Sequence, residues 1–376
     1  MVKKVAKRVS RQKQMLVASL ALAVSFTLIG VSRADSGTAG ALPELEINTA
    51  KAELGKRLFF DKRLSGDAAI SCASCHMPEY GYSTNEALSP GYPGNGHFRN
   101  SIGLINAAHK KTWLHDGRLG TNLNDVTREM ITEDYIMNMD MRIMQERVKQ
   151  DPKYVEMFEA AGYGEPSNGS VRKAIPEYLK TLTSRGAPYD AGAMSEAAQK
   201  GEMVFNEKGC VSCHSGALFS DGKAHNTGVP ENFDVFLDPM NHQAFIAFAM
   251  FQGVDNYMNL KRDPGAYVQW KKADKSNMGT FMTPSLRELT QTAPYMHNGM
   301  LASLEDVVEF YNAGGGEDSN KDAAMRPLEM TDTEKANLVE FLKSLSGEAL
   351  TGPEFVWADG YPDEYPVIQD WVNQRN

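Results

Sequence analysis

The sequence predicts a mainly α-helical protein built from two related halves wrapped in long loops, and three observations carry that prediction. No alternating apolar and polar run of convincing strand length occurs in the 376 residues. Two C-x-x-C-H motifs, Cys72-Ala-Ser-Cys75-His76 and Cys210-Val-Ser-Cys213-His214, each follow a similar helical lead that ends in an aromatic residue. Those leads, Glu53-Leu-Gly-Lys-Arg-Leu-Phe59 and Gly201-Glu-Met-Val-Phe205, suggest a duplicated unit. Gly-, Pro- and Asn-rich stretches such as residues 88–100 supply the loops.

The first 34 residues stand apart. Lys3, Lys4, Lys7, Arg8, Arg11 and Lys13 precede an apolar run over 15–29, and Ser32-Arg33-Ala34 offers small residues at a cleavage site. That run is shorter than the roughly 20 apolar residues a membrane span needs. Residues 1–34 therefore read as a secretory signal peptide, and the mature chain as a soluble periplasmic protein with no span. The leader holds seven Lys/Arg and no acid, so its removal takes the net charge from −9 to −16. Such an acidic surface argues against nucleic acid or anionic lipid as partners and for neutral or basic proteins.

Residues 35–192 and 193–347 are the expected N- and C-terminal halves. They divide within 187–199, a stretch with Ala, Gly and Pro and few large apolar side chains. The stretch 230–282 is less typical. Its segment His242-Gln-Ala-Phe-Ile-Ala-Phe-Ala-Met-Phe251 is apolar on most faces and is expected to be a helix buried against the second half rather than a docking surface. The extension 348–376 carries Phe355, Trp357, Tyr361, Tyr365 and Trp371 and is expected to pack back on the body.

All four cysteines fall in the two C-x-x-C-H motifs, leaving none for a structural disulfide. Two thiols at this spacing form thioethers to one porphyrin, and the adjacent His is delivered to the iron, so the pattern reads as attachment of two haem c groups. A thioredoxin-like pair or half of a zinc site are the other readings of C-x-x-C, and the adjoining His and the export signal disfavour both.

Around these motifs the chain resembles the bacterial di-haem cytochrome c peroxidase and MauG superfamily over about residues 50–346. The segments that carry the resemblance are Leu58-Phe-Phe-Asp-Lys-Arg-Leu-Ser-Gly-Asp67, Arg99-Asn-Ser-Ile-Gly-Leu-Ile-Asn-Ala-Ala108, Asp116-Gly-Arg118, His225-Asn-Thr-Gly228, Thr283-Pro-Ser-Leu-Arg287, Thr292-Ala-Pro-Tyr-Met-His-Asn-Gly299 and Leu304-Glu-Asp-Val-Val-Glu-Phe-Tyr311. The resemblance implies two cytochrome c-like haem domains related by duplication. The N-terminal haem would meet hydrogen peroxide, and the C-terminal haem would pass electrons or store an oxidising equivalent.

The resemblance also implies ligands. The peroxidases carry a distal Met on the C-terminal haem and MauG-like proteins a Tyr; counting fourteen residues on from His297 lands on Tyr311. The residues agree, because Leu304, Val307, Val308 and Tyr311 form one helical stripe that Ser303 can cap and Gly314 to Gly316 can end. A phenolate there would favour high-valent iron over Fe(II). At the N-terminal haem, the place of the peroxidases' distal His is taken by Tyr92. His97 lies nearby on a loop where solvation is the commoner fate, so His76 is expected to be the sole protein ligand beneath an open face. The family's inter-haem Trp position holds His115, with Trp113 two residues earlier, and the position of its peroxide-site carboxylate holds Ile136. Glu133, Asp134 and Asp140 are the nearby acid–base candidates. Asn100, Thr292 and Pro294 match the family's calcium ligands, an oxygen-only set suited to a hard cation.

The expected function is peroxide-driven formation of a high-valent di-haem state that oxidises a protein partner. MauG-like oxidation of a Trp residue comes first, with Trp113 and His115 as relay. The alternatives are a cytochrome c peroxidase fed by a small cytochrome or cupredoxin, and a non-catalytic di-haem electron carrier.

Overall fold

In the computed structural model, the described residues are 41–350 apart from 93, 95, 121, 270 and 271. The expected leader and all but the start of the C-terminal extension lie outside them. The described residues belong to one compact unit. Its helices are α1 (Thr49–Phe60), α2 (Leu123–Thr132), α3 (Met141–Lys149), α4 (Pro152–Ala160), α5 (Asn168–Leu179), α6 (Glu196–Glu207), α7 (Asp234–Leu237), α8 (Pro239–Phe251), α9 (Leu304–Asn312) and α10 (Asp332–Ser344). Among the described residues, strand structure is confined to two-residue pairs: β1 (Ala224–His225) lies antiparallel to β4 (Phe281–Met282), and β2 (Val268–Gln269) to β3 (Lys272–Ala273). The chain is mainly helical, as its lack of alternating pattern predicts.

The duplication is visible in how two helix pairs cross. On α1, a Cβ at Gly55 would meet the Ala174 carbonyl and the Tyr178 Cβ of α5; on α6, a Cβ at Gly201 would meet the Asn337 carbonyl and the Phe341 Cβ of α10. Glycine is required at both because the facing backbone comes that close. Four residues beyond each glycine comes the aromatic of the lead. Phe59 lies 5.4 Å from Tyr178 and 6.0 Å from Tyr82, while Phe205 lies 5.1 Å from Phe341 and 6.2 Å from Phe219. Each half thus has an apolar core around an aromatic trio, one formed within residues 54–182 and the other within 189–345.

A second repeat, sparse in sequence identities, joins residues 101–119 to 283–301 without a gap. Both copies contain a residue in the left-handed region, Asn106 (φ 64°) and Glu288 (φ 65°), followed by a 3-10 turn. Both then close a small loop by an antiparallel bridge, Trp113 to Leu119 and Tyr295 to Leu301. The indole Nε1 of Trp113 donates to the Ala107 carbonyl at 2.9 Å, and the equivalent Tyr295 hydroxyl donates to the equivalent Leu289 carbonyl at 2.8 Å. His115 and His297 are therefore counterparts.

Helix α8 departs from expectation. Its Phe245 and Phe248 pack on Phe98, at 5.7 and 4.9 Å, in a cluster that also holds Tyr135, so it is buried against loops of the first half as well as against its own half, where Phe236 lies 5.4 Å from Phe245 and Ala249 clusters with Val254 and Tyr267. A helix apolar on most faces does not encode which face finds a partner. Its end stays out: Phe251 is 74% exposed. Arg99 braces this region, donating to Asp263 at 2.6 and 2.7 Å and to Asp116 at 2.7 Å. No described helix is long and apolar enough to cross a membrane.

Candidate di-haem site

Each C-x-x-C-H motif begins as a 3-10 turn, Cys72–Ser74 and Cys210–Ser212, after which His76 and His214 each donate a backbone N–H to the first cysteine's carbonyl at 2.9 Å. The His76 Nδ1–H donates to the Tyr82 carbonyl at 3.1 Å, and the His214 Nδ1–H to the Phe219 carbonyl at 2.9 Å. Tyr82 (φ 57°) and Phe219 (φ 53°) both sit in the left-handed region that side chains rarely adopt, a strain that turns the carbonyl toward the imidazole. Ile102 and Pro284, equivalent in the repeat, supply a second carbonyl to each ring. Burial lowers both imidazole pKa values and keeps the rings neutral. With the proton fixed on Nδ1, each Nε2 lone pair is left for a metal.

Both motifs open into one cavity of about 1230 Å³, larger than the roughly 300–1,000 Å³ of a single small-molecule pocket. Its wall is mainly apolar, and all four cysteines and both histidines contribute to it. Paired thiols, a neutral imidazole with a free nitrogen, and an apolar enclosure are the donor set and surroundings that haem c needs. The residues fit two such groups.

The cavity brings together most of the residues singled out from sequence. Ser303 caps α9 with its side chain accepting from Asp306 N, and Tyr311 lines the cavity from that helix's last turn. Burial, reinforced by the Cys210 and Cys213 sulfurs, raises the phenol to about 12, against a hydrogen bond with Thr227. Trp113 and His115 also line the cavity. His115 Nε2–H donates to the Asn100 carbonyl at 3.0 Å, and its ring stands 6.4 Å from His297, which stacks on Phe281 at 3.6 Å. Burial lowers His115 to about 4 and His297 to about 3, so both are neutral.

Asn100, Thr292 and Pro294 converge on the same cavity. Asn100 Nδ2 donates to the Glu86 carbonyl at 2.8 Å, which leaves its Oδ1 as an acceptor. An amide oxygen left free to accept is a donor that suits a hard cation.

The other candidates divide between the cavity wall and positions off it. Ile136 lines the cavity, but Glu133, Asp134 and Asp140 do not. Asp134 is exposed, and Asp140 caps α3 by accepting from Arg142 and Ile143 N–H. Glu133, pushed up to about 7 by burial and by Glu129, also sits away from the cavity wall. Tyr92 also lies off that wall. His97 is not solvated: its ring stacks on Phe98 at 4.1 Å, its Nδ1 accepts from Arg99 N at 3.1 Å, and burial lowers it to about 3. His97 nevertheless lines the cavity, and its buried Nε2 finds no partner among the described residues.

A family model described as di-haem cytochrome c peroxidase matches residues 49–198. The chain is 46% identical to the cytochrome-c peroxidase IdrP2 of Denitromonas iodatirespirans over 87% of its own length and 89% of that protein's. It is 33% identical to the methylamine utilization protein MauG of Methylorubrum extorquens over 81% of each chain. Among solved structures, it superposes on a MauG-like protein associated with microbial copper homeostasis with a TM-score of 0.69 at 25% identity, covering 84% of this chain and 95% of the other.

Proposed function

The chain belongs to the di-haem cytochrome c peroxidase and MauG family, and from that premise we propose that it reduces hydrogen peroxide with electrons from a small periplasmic cytochrome or cupredoxin. It is an oxidoreductase of the di-haem peroxidase type carrying two haem c groups. When bound, the haems supply the iron that receives peroxide and the two places where its oxidising equivalents reside. Two electrons and two protons then convert one peroxide to two waters.

The observation that carries the choice of donor is the 46% identity to a named cytochrome-c peroxidase, against 33% to MauG. This reverses the order that the Tyr311 spacing alone suggested. Cys72, Cys75 and His76 hold the peroxide-binding haem, and Cys210, Cys213 and His214 the second. His76, neutral and anchored through Nδ1, would serve as sole protein ligand to its iron. Tyr311 would hold the iron of the second haem from α9, and Trp113 and His115 would relay electrons between the two. Asn100, with the carbonyls of Thr292 and Pro294, binds one calcium ion. Division near residue 192, export by residues 1–34 and residence in the periplasm complete the reading. The acidic surface would steer a basic donor protein.

Tyr311 favours a second reading, MauG-like oxidation of a Trp on a partner protein, because a hard anionic ligand suits an oxidised iron. One experiment separates them. Peroxide is added to the diferric holoprotein with reduced cytochrome c or cupredoxin, and donor oxidation is followed optically. Fast turnover, two donor molecules per peroxide, supports the peroxidase. No turnover with any small donor, together with a mass change on a partner's Trp, supports the second reading.

A further inference from the structure

Helices α2 and α9 show the cavity the same face. Leu123, Val126, Thr127 and Met130 line it from α2, and Leu304, Val307, Val308 and Tyr311 line it from α9. Counted from the first residue of each helix, Leu123 and Leu304, these are the same four positions. Each helix is also reached from the equivalent bridge, Trp113 to Leu119 or Tyr295 to Leu301. Met130 is thus the counterpart of Tyr311 in the duplicated unit. Unlike Val126 and Ile131 of the same helix, Met130 is not among the buried core residues, although it lines the cavity. The carboxylates on the cavity wall, Asp221, Glu288 and Asp322, all come from the second half.

We propose that Met130 covers the face of the first haem opposite His76, where its thioether is the group that meets a molecule arriving at the iron. The proposal rests on the reading of the His76 haem as the peroxide site. A thioether has no proton to give, so this residue governs access and not acid–base chemistry. Its three rotatable bonds let it yield to a molecule as small as peroxide while resisting a bulkier one. The two haem faces then differ by one substitution at one helix position: a hard oxygen in the second half, a soft and movable sulfur in the first.

The test uses diferric holoprotein, wild type and the variants Met130→Ala and Met130→His, with imidazole as the probe and the Soret band and ferric spin-state signals as readouts. Removing the Met side chain should tighten imidazole binding at the first haem about ten-fold or more, the scale on which small pockets discriminate by size. Met130→His should convert a high-spin ferric signal to low spin by placing an imidazole at the iron. Equal imidazole affinity in wild type and Met130→Ala, or a high-spin signal that persists in Met130→His, overturns the proposal. A sulfur-to-iron band in the wild type that Met130→Ala abolishes upholds the placement of Met130 and defeats the open-face reading. A wild-type protein with no high-spin haem and no such band defeats both.

Discussion

Replacing Gly201 by Ala pits two predictions of opposite sign against each other. By helix propensity alone, Gly→Ala in the interior of α6 stabilises by about 0.8–1 kcal/mol. The crossing predicts the reverse, because the new methyl would meet the Asn337 carbonyl and the Phe341 Cβ of α10. A backbone carbonyl cannot rotate away, so the helices must part, and overpacking of this kind costs about 1–3 kcal/mol. Parting them also loosens Phe341 from Phe205 and Phe219, the residue whose carbonyl holds His214. With no relaxation the clash exceeds the propensity gain, and the net effect is a loss of up to about 2 kcal/mol, or a fall in Tm of up to several °C at about 2–4 °C per kcal/mol. Thermal unfolding followed by far-ultraviolet dichroism and by the Soret band measures it. Gly55→Ala should behave alike against Ala174, whereas Gly169→Ala in α5, where nothing lies closer than 4.0 Å, should be neutral or slightly stabilising. A Gly201→Ala protein that melts at or above the wild-type temperature refutes the close crossing.

Three further outcomes follow from the buried polar groups. Arg99→Met leaves the buried Asp263 without its cation and should cost about 3–5 kcal/mol in urea unfolding; a loss below about 1 kcal/mol would show the network to be dispensable. Burial lowers the His225 pKa, but hydrogen bonds to Asp322 and Asp221 outweigh it and the net shift is upward. Its stabilising contribution is therefore full below the unfolded value of about 6.5 and fades as pH rises through the folded one. The stability gap between wild type and His225→Gln should narrow from about pH 6 upward, and a gap that widens would contradict the pairing. Tyr311→Phe should alter the low-spin ferric signal of the second haem while leaving the first unchanged; an unaltered signal removes Tyr311 as ligand.

The helical class and the duplication were legible because glycine, aromatic and C-x-x-C-H recur at readable spacing. The stripe ending at Tyr311 was legible because a 3.6-residue period and a Ser cap specify which way a helix faces. The repeat joining 101–119 to 283–301 went unread because its identities are sparse: Leu104 with Leu286, His115 with His297, Gly117 with Gly299, Leu119 with Leu301. What it preserves is backbone geometry, left-handed residues and bridges, that side-chain chemistry barely encodes. An ungapped comparison of the chain with itself would have found it, and with it the kinship of Met130 and Tyr311. His97 was misjudged for a different reason. Solvation of a loop residue depends on what packs over the loop, here Phe98 and Tyr135 beneath α8, and that is a long-range fact. That α8 packs on the first half as well as on its own was hidden likewise, since a helix apolar on most sides has no preferred face.

The central claim is that the two haems are unequal, one with an approachable iron above His76 and one closed by Tyr311. Low-temperature paramagnetic resonance of the diferric holoprotein tests it most directly. One high-spin and one low-spin ferric signal of equal intensity, with only the high-spin one abolished by a stoichiometric addition of cyanide, is the result expected. Two low-spin signals, neither disturbed by cyanide, would make the chain an electron carrier and contradict the account.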